Sequence, residues 1–259
     1  GKLGFSVACA DTNGDGADDL ILGAPGGATY GGVHLLYGAH YDPSFVYTDI
    51  DIDVLLENFG VYKSFIPEYT SSSLGFSVAS AGDVNGDLFE DIIIGAPTSD
   101  GPLAVHHAGT CYVILCTDNS FIGTRYQGFN TNNQLGTAVA GAGDINGDGF
   151  DDFALASPHY SNFGESTGSN GIVYIGFGKS TGWTDVNFAE DIPSEGVIVY
   201  GELYSNFGMS LAFVGDVNGD GYDDLLIGSP TFEINGESRG AAFLLAGHNH
   251  SWTTSAPAT

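Results

Sequence analysis

Positive charge is nearly absent from this 259-residue chain: Lys2, Lys63, Arg125, Lys179 and Arg239 face 32 acidic residues, for a formal charge of −27. Nucleic acids and anionic lipid surfaces are gripped by Lys and Arg that neutralise phosphate, so neither is an expected partner. Long apolar runs are missing too. No stretch approaches the roughly 18 apolar residues of a membrane-crossing helix, so no membrane span is expected. Methionine occurs once and cysteine three times. Cys111 and Cys116 stand five apart in one apolar run, which on a strand turns them to opposite faces and forbids a bridge between them. Buried free thiols are expected, with a bridge from Cys9 to one of the other two as the alternative, so cysteine leaves the redox compartment open. No signal peptide is visible, which reads as a mature or trimmed segment. Arg-Gly-Asp is also absent.

What the chain has in quantity is glycine (40), phenylalanine (17) and tyrosine (13), a composition for short strands joined by tight turns. Sixteen of the carboxylates fall in four copies of one nine-residue loop. These are Asp11-Thr-Asn-Gly-Asp-Gly-Ala-Asp-Asp19, Asp83-Val-Asn-Gly-Asp-Leu-Phe-Glu-Asp91, Asp144-Ile-Asn-Gly-Asp-Gly-Phe-Asp-Asp152 and Asp216-Val-Asn-Gly-Asp-Gly-Tyr-Asp-Asp224. Oxygen-bearing side chains at loop positions 1, 3, 5 and 9 around a glycine turn suit a hard cation that gathers six to eight oxygens, as Ca²⁺ does. Up to four Ca²⁺ are expected, and their eight positive charges would bring −27 to −19. Loops of this kind usually rely on millimolar extracellular calcium, which points to a secreted or cell-surface location.

The loops start 72, 61 and 72 residues apart, a period that indicates stacked modules. In each module a small-residue strand leads into the loop and an aliphatic strand leaves it for a Pro turn at Pro25, Pro97, Pro158 or Pro230. A third strand follows at Val33–Gly38, Cys111–Cys116, Ile172–Phe177 and Ala242–Ala246. A looser fourth is expected near Phe45–Leu56, Phe121–Phe129 and Gly196–Leu203, with none evident in module four. The fold class is therefore all-β, a β-propeller of four-stranded antiparallel meanders. The whole of residues 1–259 reads as one propeller or propeller segment, with repeats near 1–73, 74–134, 135–206 and 207–250. Residues 251–259 are a linker or a partial strand.

The Phe-Gly openings (Phe76 beside Gly75, Phe207-Gly208), the acidic loop and the Gly-Ala-Pro turns at 23–25 and 95–97 resemble the FG-GAP repeats of the integrin α-subunit β-propeller. Similar repeats occur in glycosylphosphatidylinositol-specific phospholipase D and in bacterial and protist secreted surface proteins. The resemblance implies calcium in the first hairpin of each blade. Its side-chain ligands would be Asp11, Asn13, Asp15 and Asp19; Asp83, Asn85, Asp87 and Asp91; Asp144, Asn146, Asp148 and Asp152; and Asp216, Asn218, Asp220 and Asp224. The carbonyls of Ala17, Phe89, Phe150 and Tyr222 would complete the shells. The second loop departs at Leu88, where a turn glycine is expected, and should be the weakest or most distorted site. Integrin α propellers have seven blades, so the resemblance leaves three alternatives: a longer polypeptide, four blades closing by themselves, or completion by neighbouring chains.

Other motifs carry less. An EF-hand needs a Glu at position 12 between helices, and here Leu22, Ile94, Leu155 and Ile227 fill that position in strand runs. Gly164-Glu-Ser-Thr-Gly168 has the Gly-x-Ser-x-Gly pattern but lies in a polar loop. His106-His107 reads as an exposed pair, and His34 as packed or at an edge. Phe5, Phe76 and Phe207 occupy positions where blades should meet. Asn249-His-Ser251 is the single glycosylation sequon. No nucleophile, base and orienting group come together, so no enzyme is expected. The expected function is an extracellular calcium-binding module for adhesion or surface assembly, its protein or glycan partners met through variable loops such as Thr98–Ala108 and His159–Gly171. The alternatives are the accessory propeller of a secreted phospholipase D-like hydrolase, or a polymer-forming subunit completed by strand donation.

Overall fold

A computed structural model describes residues 2–26, 31–38, 62–65, 72–100, 105–117, 120–128, 130–161, 169–188 and 195–253. No α-helix occurs among them. The first sheet runs β1 (Ser6–Ala10), β2 (Asp19–Gly23), β3 (Val33–Leu36) and β4 (Tyr62–Phe65). The second runs β5 (Ser77–Gly82), β6 (Asp91–Ala96), β7 (Thr110–Cys116) and β8 (Phe121–Gln127). The third consists of β9 (Ala138–Gly143), β10 (Asp152–Ser157), β11 (Ile172–Gly176) and β13 (Gly196–Tyr200), which pairs with β11; the short β12 (Val186–Asn187) lies between the last two in the chain but not in this sheet. The fourth has three strands, β14 (Ser210–Phe213), β15 (Leu225–Ser229) and β18 (Ala241–Leu245), with a small hairpin of β16 (Glu233–Ile234) and β17 (Glu237–Ser238) between the last two. These four antiparallel sheets are the blades of a β-propeller.

The small residues of β1, β5, β9 and β14 let these innermost strands lie side by side in that order. Outward from them, period-two alternation divides each blade between its two neighbours. Ile92 and Ile94 pack towards the first blade with Ile21 and Leu35, whereas Ile93 points the other way, to Phe153 and Leu155. Ala154 and Ala156 in turn meet Leu225 and Ile227 of the fourth blade. Cys111 and Cys116 lie in different clusters, on opposite faces of β7 as their spacing requires, and all three cysteines are free thiols. Cys9 is exposed rather than buried.

Among the described residues the stack is an open arc. No contact between β14 and β1 comparable to those of successive inner strands occurs among the described residues. The outward faces of the end blades are uncovered: Val7 is 65% exposed, and Leu20, Leu226 and Leu244 are exposed as well. Phe5 illustrates the effect. Its ring lies 5.1 Å from that of Phe76, yet half of it stays exposed because only one of its sides has a neighbouring blade, whereas Phe76, at the corresponding place in the second blade, is less exposed.

Two expectations need correction. The strand that pairs with β3 is Tyr62–Phe65, not Phe45–Leu56, which lies outside the described residues. The second blade also gains a strand from elsewhere in the sequence: β12 runs parallel to β8, Val186 opposite Tyr126.

Candidate metal loops

Each acidic loop is the hairpin between the first two strands of its blade, and a recurring set of backbone devices gives it the same shape. The glycine at position 4 takes positive φ in all four copies, between 70° and 78°. Position 6 does so too, at 84°, 90° and 92° in Gly16, Gly149 and Gly221. Leu88 is held at φ 74°, the left-handed conformation expected for this position, with its side chain 88% exposed. A side chain in that region costs of the order of 1 kcal/mol relative to glycine.

The third device is convergence. In the first loop Asp11 Oδ1 and Asn13 Oδ1 accept from the same amide, that of Asp15, at 3.1 and 2.9 Å. The pairs Asp83/Asn85, Asp144/Asn146 and Asp216/Asn218 converge in the same way on the amides of Asp87, Asp148 and Asp220. The other oxygen of the first aspartate accepts from position 6: Gly16, Leu88, Gly149 and Gly221 donate at 2.8–2.9 Å. The position-5 carboxylate accepts from position 7, as Asp15 does from Ala17 and Asp220 from Tyr222. Phe89 and Phe150 donate in the same way to Asp87 and Asp148. Sharing a donor places the oxygens of positions 1 and 3 side by side, and the donor set is all oxygen, which suits a hard cation. Among the described residues no group of three His, Cys, Asp or Glu side chains forms a metal cage by itself. In each loop the carboxylates of positions 1 and 5 work with an asparagine.

Position 9 behaves differently. Asp19, Asp91, Asp152 and Asp224 are fully buried beneath their loops. One carboxylate oxygen accepts from the position-2 amide (Thr12, Val84, Ile145 or Val217) at 3.0–3.1 Å. The other accepts from an amide at the end of the third strand or just beyond it, Gly38, Cys116, Gly178 or Gly247, at 2.8–2.9 Å. The residue therefore ties loop to blade as well as facing the loop. Burial pushes the Asp91 and Asp152 carboxyls up to about 8, against the pull of their backbone donors and with a further push from Asp87 and Asp148 respectively. Asp19 is raised for the same reason. Asp216, at the open end of the arc, is shifted down by the amide bonds it accepts, that from Gly221 foremost.

Position 8 was not singled out in sequence, although it is acidic in every copy. Glu90, Asp151 and Asp223 reach across to the preceding blade, where each accepts from the position-1 amide, at 3.3, 2.8 and 2.9 Å. Their own amides donate back to the position-1 carbonyls of Asp11, Asp83 and Asp144. The remaining motifs stay apart from the loops. His106 and His107 are exposed, with His106 3.6 Å from Asp100. His34 pairs with Ser64, Asn249 is exposed, and residues 162–168, which hold the whole Gly-x-Ser-x-Gly pattern, lie outside the described residues.

The FG-GAP repeat family model matches residues 3–36, 74–114, 135–175 and 207–245, one stretch in each blade. The chain is 32% identical over 233 residues to integrin alpha-V of Gallus gallus, covering 88% of this chain and 20% of that protein. It is likewise 32% identical over 240 residues to integrin alpha-5 of Xenopus laevis, with the same shares covered. Phosphatidylinositol-glycan-specific phospholipase D of Bos taurus is 32% identical over 193 residues, 70% of this chain and 22% of that protein. The chain thus spans about a fifth of the length of these relatives.

Proposed function

The chain belongs to the FG-GAP repeat family, and from that premise we propose that it is an extracellular, calcium-stabilised, non-enzymatic propeller unit acting in adhesion or surface assembly. One observation carries the metal reading: four loops of independent sequence position each bring the oxygens of positions 1 and 3 onto a single shared amide. A bound Ca²⁺ supplies charge neutralisation there. Asp11, Asn13, Asp15, Asp19 and the Ala17 carbonyl would hold it in the first loop, and the corresponding residues in the other three. Asp91 and Asp152 would serve it as carboxylates, the cation offsetting the burial, and the lesser push of neighbouring carboxylates, that raise them without it.

In this reading residues 1–259 act as one unit of four repeats, and protein or glycan partners are met through loops on the blade ends, with copies of the chain as a further class of partner. The adhesion assignment rests on the integrin alpha relatives. A second reading, an accessory propeller of a secreted hydrolase, is favoured by the phospholipase D relative. Equilibrium dialysis at millimolar free calcium tests the metal reading directly. Close to four ions per chain are expected, and fewer than one would refute it.

A further inference from the structure

The contacts at position 8 have a direction. Each joint is made by a loop and the blade that follows it: Glu90 serves the loop of Asp11, Asp151 that of Asp83, and Asp223 that of Asp144. In every joint the backbone of the first ligand residue is held twice, its amide by the carboxylate and its carbonyl by the amide of the same neighbour. The residue before the carboxylate adds a third contact. Phe89, Phe150 and Tyr222 lie over the position-4 glycines of the preceding loops, so close that a Cβ on Gly14, Gly86 or Gly147 would come within 2.9 Å of the ring. The fourth loop lacks all of this among the described residues. The Asp216 amide has no such carboxylate, Gly219 has nothing within 4 Å, and Asp216 and Asn218 are exposed where their counterparts are half-buried.

We propose that Glu90, Asp151 and Asp223 are positioning residues for the calcium site of the preceding blade rather than of their own, so that each site is preorganised by its successor. The inference rests on the calcium reading above. Its physical basis is that of outer-shell partners at metal sites, which hold a ligand in place without touching the ion and whose loss typically costs about 10–100-fold in affinity. The position-8 side chain also adds negative charge beside a neighbouring cation. The chain contains its own control, because Asp18 occupies position 8 of the first loop, is exposed, and has no preceding blade among the described residues.

The test is a site-resolved calcium titration of the whole chain by ¹⁵N NMR, following the loop amides of Gly14, Gly86, Gly147 and Gly219. Asp151→Ala is expected to weaken the 83–91 site by about tenfold or more, while the 144–152 site, whose loop contains the substitution, changes by less than about twofold. Asp151→Asn, which keeps the shape and removes the charge, separates repulsion from hydrogen bonding and stands in if the alanine variant folds poorly. Asp18→Ala should leave all four sites as they were. Equal weakening of every site, greater weakening at 144–152 than at 83–91, or no change at either would overturn the proposal. Absence of calcium-dependent shifts in the unsubstituted chain would instead refute the calcium reading itself, and the two failures are distinguishable.

Discussion

Removing calcium should make the stability of this chain depend steeply on pH, and the direction follows from two buried residues. Asp91 and Asp152 are fully buried, and in the cation-free protein their carboxyls are pushed up to about 8 from the ordinary value of 3.8. The folded state then binds more protons than the unfolded one between about pH 4 and pH 8, so unfolding becomes easier as pH rises through that window. The displacement corresponds to roughly 6 kcal/mol for each group if nothing relaxes around it. A domain is stabilised by only about 5–15 kcal/mol in total, so the calcium-free chain should approach unfolding near pH 8 while remaining folded near pH 5. A bound cation favours the carboxylate form and should remove most of this dependence, releasing up to two protons per chain at pH 7 from these residues. Thermal melts at pH 5, 6.5 and 8, with EGTA and with excess calcium, measure both effects. Calorimetry in buffers of different ionisation enthalpy counts the protons. An EGTA melt that is flat across the series, or that rises with pH, would refute the reasoning.

Two further outcomes follow from backbone and packing. Leu88→Gly should stabilise the chain by about 1 kcal/mol, because an exposed side chain is relieved of a left-handed conformation, and it should sharpen calcium binding at 83–91. Urea melts check the first, and a loss of stability would show that Leu88 has a role its exposure conceals. On β15, adjacent residues should behave as opposites. Leu226→Asn should change stability by less than about 0.5 kcal/mol, whereas Ile227→Asn should cost about 3 kcal/mol or more, because Ile227 is buried against the third blade. Similar melting temperatures for the two variants would mean that both faces are covered in solution.

The parts of this molecule that were legible in sequence are those coded by neighbouring residues. The loops announce themselves because their oxygens, glycines and flanking strands lie within a span of about twenty residues, and the three inner strands of each blade follow from them. The outer strand of the first blade was misplaced because Phe45–Leu56 has the stronger apolar pattern, while Tyr-Lys-Ser-Phe at 62–65 is short and half polar, as edge strands often are. The two residues of β12 carry no periodic signal. Position 9 was read as a ligand and is also a buried tie to the third strand, a role invisible without the fold. Position 8 offered a signal, an acid in all four copies, but its meaning depends on partners 68 to 79 residues away.

The strap that β12 lays along β8 changes what counts as a part. Sequence self-similarity suggests cut points between one repeat and the next, yet a piece ending after β8 would leave that strand without the neighbour that Val186 and Asn187 supply from beyond the third strand of the next blade. Excising the third blade would likewise strip Phe188 from the aromatic cluster it shares with Tyr126 and remove the hydrogen bond its amide gives to Gln127. The repeat is the unit of self-similarity in this chain, but the smallest separable piece containing the second blade is a pair, and any dissection or grafting of these blades has to respect that longer boundary.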